Sequence, residues 1–269
     1  MKSKNRYFAT INLNEQAFQM ATILVLNYHR IVHSGEYVDP LYTKFTLDVS
    51  VFQQQLDLIQ QLGIHVVDLA NLSETTSLPP FCIGITFDDG HLSDLQIAAP
   101  LLEKNNFPAT FFPVINQIGT ENFMTWDDLT TLLKMGFTIG SHSFSHPHLT
   151  DLNQEDQHQE IVESRRVLEE KLGILVQLFS IPYGESDVRI IQTIQSAGYT
   201  GAFSTVFGTE NVGNTTPFLW KRWNIKRTTK IRQFEKVLSR QALTLFQLNT
   251  WAKIKLKIVP IKFYFTNHN

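Results

Sequence analysis

Two short segments of the chain carry side chains that could bind a cation and move protons. The first, TFDDG at residues 86–90, directly follows an apolar stretch and supplies Asp88 and Asp89. A carboxylate that binds a metal keeps its charge satisfied, whereas a neighbouring carboxylate can take a proton from water. The alternative interpretation is an ordinary turn, because Asp-Gly is a common turn dipeptide.

The second segment, SHSFSH at residues 141–146, supplies His142 and His146. Pro147 and the neighbouring serines favour a loop, in which two imidazoles can still reach one ion. Two imidazoles and one carboxylate leave a coordination position open for water, which is typical of catalytic zinc. The alternative is a chance cluster of surface histidines that includes His148. The two segments together argue against chance, because each supplies ligands that the other lacks.

A third segment, Pro182-Tyr183-Gly184, has the composition of a tight loop. The backbone N–H groups of Tyr183 and Gly184 could face a developing oxyanion in such a loop. Considered alone, the segment is better explained as an ordinary Pro-Tyr-Gly turn.

All three segments follow predicted strands. Short apolar runs alternate with longer amphipathic segments, which predicts an α/β fold with repeated βα units around a parallel sheet. The predicted strands lie near 23–28, 64–69, 83–87, 109–113, 137–141, 177–181, 199–204 and 219–225. The predicted helices cover 49–62, 94–105, 126–135, 153–172 and 187–197. Barrel enzymes build their active sites at the carboxyl ends of the strands, where the three segments would meet.

The chain of 269 residues has the length of a single α/β barrel. We expect an N-terminal extension at 1–21, the barrel at 22–226 and a basic C-terminal extension at 227–269. Residues 220–269 carry 12 Lys/Arg against 1 Asp/Glu, whereas the preceding residues carry 11 against 24. Such a basic segment can pack on the acidic body, contact an anionic membrane, or hold an acidic polymer. We expect no nucleic-acid partner. Within the extension, Ile231, Phe234, Val237 and Leu238 predict an amphipathic helix, and 253–258 alternates like a strand.

Cysteine usage and the N-terminus bear on the compartment. Cys82 is the only cysteine, and no signal peptide is evident. No apolar run approaches the roughly 20 residues that span a bilayer. We therefore expect a cytoplasmic protein, with peripheral contact at the inner membrane face through the basic C-terminal extension as an alternative.

With these segments, the chain resembles the polysaccharide deacetylases, the family 4 carbohydrate esterases with a NodB homology domain. The resemblance covers about residues 22–225 and is closest to the subset that deacetylates poly-N-acetylglucosamine and related exopolysaccharides. It also includes YHR at 28–30, PATFF at 108–112, MTW at 124–126 and KRW at 221–223.

The resemblance implies a distorted (β/α)7 barrel and one divalent metal ion, most often zinc and sometimes cobalt or nickel. It implies Asp89, His142 and His146 as ligands and Asp88 as the base that takes a proton from water activated at the ion. The implied substrate is an N-acetylated glycan, a polysaccharide or a glycan intermediate, and the products are acetate and a free amino sugar. The oxyanion would be held by the ion and by the Tyr183 N–H, in the loop of Pro182 and Gly184.

The chain departs from the family pattern at two places. Many relatives have an arginine in the third motif that holds the catalytic aspartate, but here Ser180 and Ile181 occupy that stretch. We propose that Arg222 supplies the missing cation beside Asp88; the alternative is a surface arginine in a basic segment. The late Leu-x-His motif that contributes a general acid in many relatives is also absent after residue 223. Either another group protonates the leaving amine, with His29 as one candidate, or the enzyme is slow or inactive. The alternative for His29 is packing, the commoner fate of a histidine on an early strand.

Three other functions fit parts of the pattern. An amidase acting on a small cyclic amide or imide would use the same barrel and ligands. A catalytically impaired glycan-binding homologue is favoured by the absent arginine and late histidine. A non-haem iron oxygenase also uses two histidines and a carboxylate, but the pair Asp88–Asp89 has no role there.

Overall fold

The computed structural model describes residues 20–40, 42–72, 77–213 and 215–248, which form an α/β barrel. Its strands, in chain order, are β1 Ala21–Tyr28, β2 Arg30–Val32, β3 Thr46–Asp48, β4 His65–Val66, β5 Phe81–Asp89, β6 Thr110–Pro113, β7 Thr138–Ile139, β8 Leu178–Ser180, β9 Gly201–Phe203, β10 Glu210–Val212, β11 Leu219–Trp220 and β12 Arg222–Asn224.

Parallel pairing closes the barrel. Strand β1 pairs with β5, β5 with β6, and β6 with β7. A bridge between Ser141 and Phe179 continues from β7 to β8, which pairs with β9. Strand β11 pairs with β9 and β12 pairs with β1, so the interrupted stretch 219–224 completes the ring. The predicted (β/α)7 barrel is confirmed, in a distorted form in which the closing strand is broken at Lys221.

Helices pack around the barrel. They are α1 Val49–Gln61, α2 Ala99–Lys104, α3 Trp126–Lys134, α4 Gln154–His158, α5 Ser164–Leu172, α6 Val188–Ser196 and α7 Ile231–Leu248. Side chains of Asp48, Thr125 and Asp187 cap the first turns of α1, α3 and α6, where backbone N–H groups lack intrahelical partners. The helices predicted at 94–105 and 153–172 are confirmed, but each contains a π-helical stretch, Asp94–Ala98 and Gln159–Glu163.

The alternation of strand side chains divides the molecule into an outer and an inner core. In β1, Leu24 and Leu26 pack in the core between the strands and the surrounding helices, whereas Ile23 and Val25 belong to a separate apolar cluster. Phe112, Leu178 and Phe203, from strands β6, β8 and β9, belong to that second cluster. Because side chains of a strand point alternately to opposite faces, this second cluster fills the barrel interior.

The first part of the predicted C-terminal extension packs on the barrel. The predicted amphipathic helix is confirmed as α7, whose Phe234 and Leu238 are fully buried. The Phe234 ring stacks on Trp223, with 5.5 Å between ring centroids. Residues 1–19 and the strand predicted at 253–258 lie outside the described residues. Among the described helices, none has the length and apolar character needed to cross a bilayer.

Strands β2, β3 and β10 were not expected from the sequence. Each has three residues, too few to show an alternating pattern that distinguishes a strand from a loop. Their backbone partners are distant in sequence: Arg30–Val32 pairs with Thr46–Asp48, and Glu210–Val212 pairs antiparallel with the start of β1.

Candidate active site

The carboxylate of Asp89 and two imidazoles meet at the carboxyl end of the barrel. Asp89 Oδ1 lies 3.6 Å from His142 Nε2 and 3.8 Å from His146 Nε2. The three candidate ligand atoms all lie within 4.8 Å of one another. Ligand atoms about 2.0–2.1 Å from a tetrahedral zinc ion are separated by about 3.3 Å, so this cluster needs only a small contraction to hold one ion. The convergence predicted from the two segments is therefore confirmed.

Strained backbone positions concentrate around this cluster. Asp89, Ser143, His146 and Tyr183 have φ values of 77°, 65°, 63° and 60°. For residues other than glycine, such left-handed conformations cost about 1–2 kcal/mol each. A backbone with these torsions turns sharply directly after the strands, which allows side chains from neighbouring loops to point at one place.

His142 is held in one orientation and in its neutral form. Its Nδ1 lies 2.8 Å from the Ser180 carbonyl oxygen, so a proton on Nδ1 leaves Nε2 unprotonated and directed at Asp89. Burial lowers the pKa of His142 to about 4, against an opposing effect of the Asp88 charge. A neutral imidazole with its free nitrogen toward a carboxylate is ready to act as a metal ligand.

Glu160 fixes the loop that carries both histidines. Its Oε2 accepts hydrogen bonds from the backbone N–H groups of Phe144 and Ser145 at 3.0 and 2.8 Å, and its Oε1 accepts from the Ser145 hydroxyl. Glu160 lies in the π-helical stretch Gln159–Glu163, an irregularity that is often found at functional sites. This residue was not identified from the sequence, where a glutamate in a predicted amphipathic helix suggests only a solvated face.

Asp88 is buried beside the cluster and held as an anion. Its side chain is almost inaccessible, and its Oδ2 lies 4.0 Å from His142 Nε2. Arg222 donates from Nη1 to Oδ1 at 2.9 Å and from Nη2 to Oδ2 at 2.8 Å. Asn27 Nδ2 donates to Oδ2 at 2.9 Å. Burial alone would raise the pKa of Asp88, but Arg222 and the neighbouring imidazoles hold it well below its ordinary value.

Arg222 lies at the position expected for the missing cation. The predicted proximity to Asp88 is confirmed, and the alternative of a surface arginine is wrong because the side chain is fully buried. Its remaining donors reach the Ser204 carbonyl oxygen, Ser180 Oγ and Asn27 Oδ1 at 2.9, 2.9 and 3.0 Å. A buried guanidinium with all these acceptors can stabilise a buried carboxylate despite the cost of desolvation.

The Pro182-Tyr183-Gly184 loop lies beside the histidines, but it differs from the expectation in one respect. The N–H of Gly184 donates to the Ile181 carbonyl oxygen at 2.8 Å, so it is not available to an oxyanion. The turn itself requires this bond, because it closes the loop after the buried Pro182. Tyr183 N–H is the remaining candidate of the pair. The Tyr183 ring stacks on His148 with 3.7 Å between centroids.

The cluster and Asp88 line an open cleft of about 1080 Å³. His29 also lines the cleft, with its ring stacked on Phe45 at 4.6 Å between centroids. Its Nδ1 is buried without a hydrogen-bond partner among the described residues. His29 thus faces the same cavity as Asp88, with its ring plane fixed.

The fold and the site define a parallel α/β barrel with a candidate mononuclear metal centre and a separate ionised carboxylate. Residues 75–202 match the family model described as polysaccharide deacetylase. The match covers just under half of the chain, and it identifies residues 75–202, which carry Asp88, Asp89, His142 and His146, as a polysaccharide deacetylase domain.

Two relatives agree with this family, and a solved structure agrees with the fold. The chain is 28% identical over 164 residues to chitin deacetylase 1 of Cryptococcus neoformans, covering 59% of this chain and 34% of the relative. It is 30% identical over 107 residues to the peptidoglycan-N-acetylglucosamine deacetylase of Bacillus cereus, covering 38% and 36%. The matches span less than half of the length of these relatives. The deacetylase PplD of Streptococcus pyogenes, solved in complex with acetate, superposes with a TM-score of 0.71 at 20% identity, covering 80% of this chain and 97% of that one.

Proposed function

We propose that the chain is a metal-dependent hydrolase that removes N-acetyl groups from an amino-sugar-containing glycan. The observation that carries the proposal is Asp88, held ionised by Arg222 within 4.0 Å of the imidazole of His142. The names of its relatives, which act on chitin and peptidoglycan, support this reaction class. A cyclic-imide amidase and a glycan-binding homologue without catalysis gain no support from these relatives.

The donor set of Asp89, His142 and His146 fits a divalent ion of the zinc type, and cobalt or nickel would accept the same ligands. When bound, such an ion supplies Lewis acidity that polarises a carbonyl and lowers the pKa of water. His142 contributes through Nε2 because Ser180 holds its Nδ1. His146 is positioned by its backbone N–H, which donates to Ser143 Oγ at 2.9 Å.

Asp88 acts as the base in this proposal. Its low pKa makes it a weak base, but it keeps the carboxylate unprotonated at neutral pH. The two bonds from Arg222 and the bond from Asn27 fix the carboxylate before substrate arrives, so no reorganisation is needed at the moment of proton transfer.

Two further groups complete the proposed reaction. Tyr183 N–H donates to the oxyanion that forms from the acetamide oxygen. His29 delivers a proton to the leaving amine, in place of the absent late histidine. Its support is its place in the cleft and its stacked ring, which limits rotation of the imidazole.

Acetate release from N-acetylchitooligosaccharides of defined length, by full-length protein loaded with zinc, tests the function. Chelator should abolish release, and restored zinc should recover it. A panel of small cyclic imides in the same assay separates amidase activity. Ring opening without acetate release would contradict the proposal, as would tight oligosaccharide binding with no acetate from metal-loaded protein.

We also propose that the enzyme is cytoplasmic, with contact at the inner membrane face through the basic C-terminal extension. Because α7 packs on the barrel, a chain that ends at Leu248 is a better comparison than one that ends at residue 226. Co-sedimentation with anionic liposomes should be weaker for the shortened chain, and equal pelleting of the two would contradict membrane contact.

A further inference from the structure

The cleft of the candidate active site also has a basic wall, formed by Arg30, Lys44 and Lys226. The reaction proposed above uses none of these three cations. Their presence in a cavity that also contains the candidate metal centre calls for a ligand group of opposite charge.

Arg30 is a buried cation that lies near two aromatic rings within this basic wall. Its guanidinium carbon lies 3.4 Å from the centroid of the Tyr42 ring and 5.6 Å from that of Phe123. The side chain is only 9% exposed, and its buried Nε has no hydrogen-bond partner among the described residues. A guanidinium that is already desolvated and held against rings binds a carboxylate or phosphate strongly, because little further desolvation or ordering is required.

The two lysines belong to backbone segments that are in contact. Lys44 lies in the 3-10 turn Thr43–Phe45, and its carbonyl oxygen accepts a hydrogen bond from the Arg227 N–H at 3.0 Å. Lys226, the preceding residue, is thereby held near Lys44. Both side chains are exposed, so their ammonium groups can reach a ligand in the cleft.

Among the described residues, no carboxylate forms an ion pair with Arg30, Lys44 or Lys226. Of the acids that line the cleft, Asp88 pairs with Arg222 at 2.8 Å and Glu185 with His148 at 3.1 Å. Asp89 faces the two imidazoles of the candidate metal centre. Asp94 lies near Arg30, but neither of its oxygens has a hydrogen-bond partner among the described residues, and burial raises its pKa well above the ordinary range. Burial thus favours a neutral carboxyl at Asp94.

We propose that the basic wall of Arg30, Lys44 and Lys226 binds an anionic substituent, a phosphate or a carboxylate, that the glycan carries beside its acetamido sugar. This inference rests on the proposed function, because it specifies the substrate class of the same cleft. The cleft volume of about 1080 Å³ slightly exceeds the range of about 300–1,000 Å³ for drug-sized ligands, so the neighbour of the acetamido sugar also fits. The preferred substrate is accordingly an acidic amino-sugar glycan and not a neutral homopolymer.

Binding measured without turnover tests the inference. Full-length protein is treated with chelator, and calorimetry compares a hyaluronan tetrasaccharide, which carries carboxylates, with neutral N-acetylchitotetraose. For the phosphate, the same calorimetry compares N-acetylglucosamine-1-phosphate with N-acetylglucosamine. The double variant Lys44→Glu/Lys226→Glu removes the accessible charges, and Lys134→Glu is the matched control, on an exposed lysine in the last turn of α3 outside the cleft.

We expect at least about tenfold tighter binding of one anionic ligand than of its neutral counterpart, lost in the double variant and kept in Lys134→Glu. The arm with the larger preference identifies the anion. Equal binding of charged and neutral ligands, or a preference that survives in the double variant, would overturn the inference. Acetate release from neutral oligosaccharides without anion preference would leave the proposed function standing. Anion preference without acetate release from any substrate would instead contradict the proposed function alone.

Discussion

Arg222 and Asp88, which are 134 positions apart, are joined by two parallel hydrogen bonds of 2.9 and 2.8 Å inside the barrel. The guanidinium lies on the strand that closes the barrel, and the carboxylate lies at the end of β5. Two-point pairing fixes the plane of the carboxylate and keeps it ionised, which a single lysine contact would not achieve.

Replacing Arg222 by Gln should move the acid limb of the kcat/KM profile to higher pH by roughly 1–3 units. Without the guanidinium, the effect of burial on the Asp88 pKa loses its largest opposing cause, so the base is protonated over a wider acidic range. The free energy of unfolding should fall by about 3–5 kcal/mol, because a buried carboxylate loses its partner. Arg222→Lys serves as the control that keeps the positive charge but cannot form the two parallel hydrogen bonds. An unchanged acid limb at constant zinc content would show that Arg222 does not set the state of Asp88.

Asp88→Asn should lose at least about 1000-fold in kcat and still bind zinc with a stoichiometry near one. The amide keeps the shape of the side chain but cannot accept a proton. His142→Ala should lose both acetate release and zinc, because Nε2 of His142 is a candidate ligand. Metal analysis of dialysed protein and an acetate assay on the same samples separate the two effects. Near-normal turnover by Asp88→Asn would refute its role as the base.

Glu160→Ala should weaken zinc binding by about 10- to 100-fold, although Glu160 touches no candidate ligand atom. Its carboxylate organises the loop between His142 and His146 through the N–H groups of Phe144 and Ser145. Competition against a chelator of known affinity gives the measurement. Glu163→Ala is a matched control, because Glu163 lies in the same helical stretch but pairs with the half-exposed Arg166. Equal zinc affinity in the two variants would contradict the role of Glu160.

The metal-free protein should lose stability as the pH falls from about 6.5 to 4. The pKa of His142 is lowered from 6.5 to about 4 in the fold, so in this window the unfolded chain takes up a proton that the folded chain does not. The contribution of His142 to the free energy of unfolding is fully present above pH 6.5, and roughly 3 kcal/mol of it is lost as the pH falls to 4. Urea unfolding in chelator at pH 7 and pH 5 measures it. The stability of His142→Asn should depend less steeply on pH, with the remainder due in part to His91, whose pKa is also lowered to about 4. The control His65→Asn, at an exposed histidine, should keep the full pH dependence. Equal slopes in the two variants would argue against the role of His142.

The candidate metal ligands could be predicted because each follows a recognisable apolar strand. In a parallel barrel all strand ends meet on one face, so the segments with Asp89 and His142 had to approach each other once the strands were identified. The position of Arg222 beside Asp88 could be predicted from the family resemblance, because the third motif lacks the arginine that many relatives carry there.

Contacts to the backbone were beyond the reach of sequence patterns. Glu160 acts through N–H groups of a loop 15 and 16 residues away, and a helical periodicity cannot reveal that its helix widens there. The N–H of Gly184 is a candidate oxyanion donor from the sequence because its residue type suits a tight loop. In the structure that N–H donates to the Ile181 carbonyl oxygen and closes the loop. This hydrogen bond depends on the local backbone torsions and not on composition.

The closure of the barrel by β12 couples the chemistry to the completion of folding. Residues 75–202 contain all three candidate ligands and Asp88. Asn27 and Arg222, which hold the base, lie outside that segment, on the first and last strands of the barrel. An ion could therefore be captured by an incomplete barrel, whereas a competent base exists only after both ends of the ring have joined. If the proposed function holds, turnover requires a completed ring, whereas metal uptake does not.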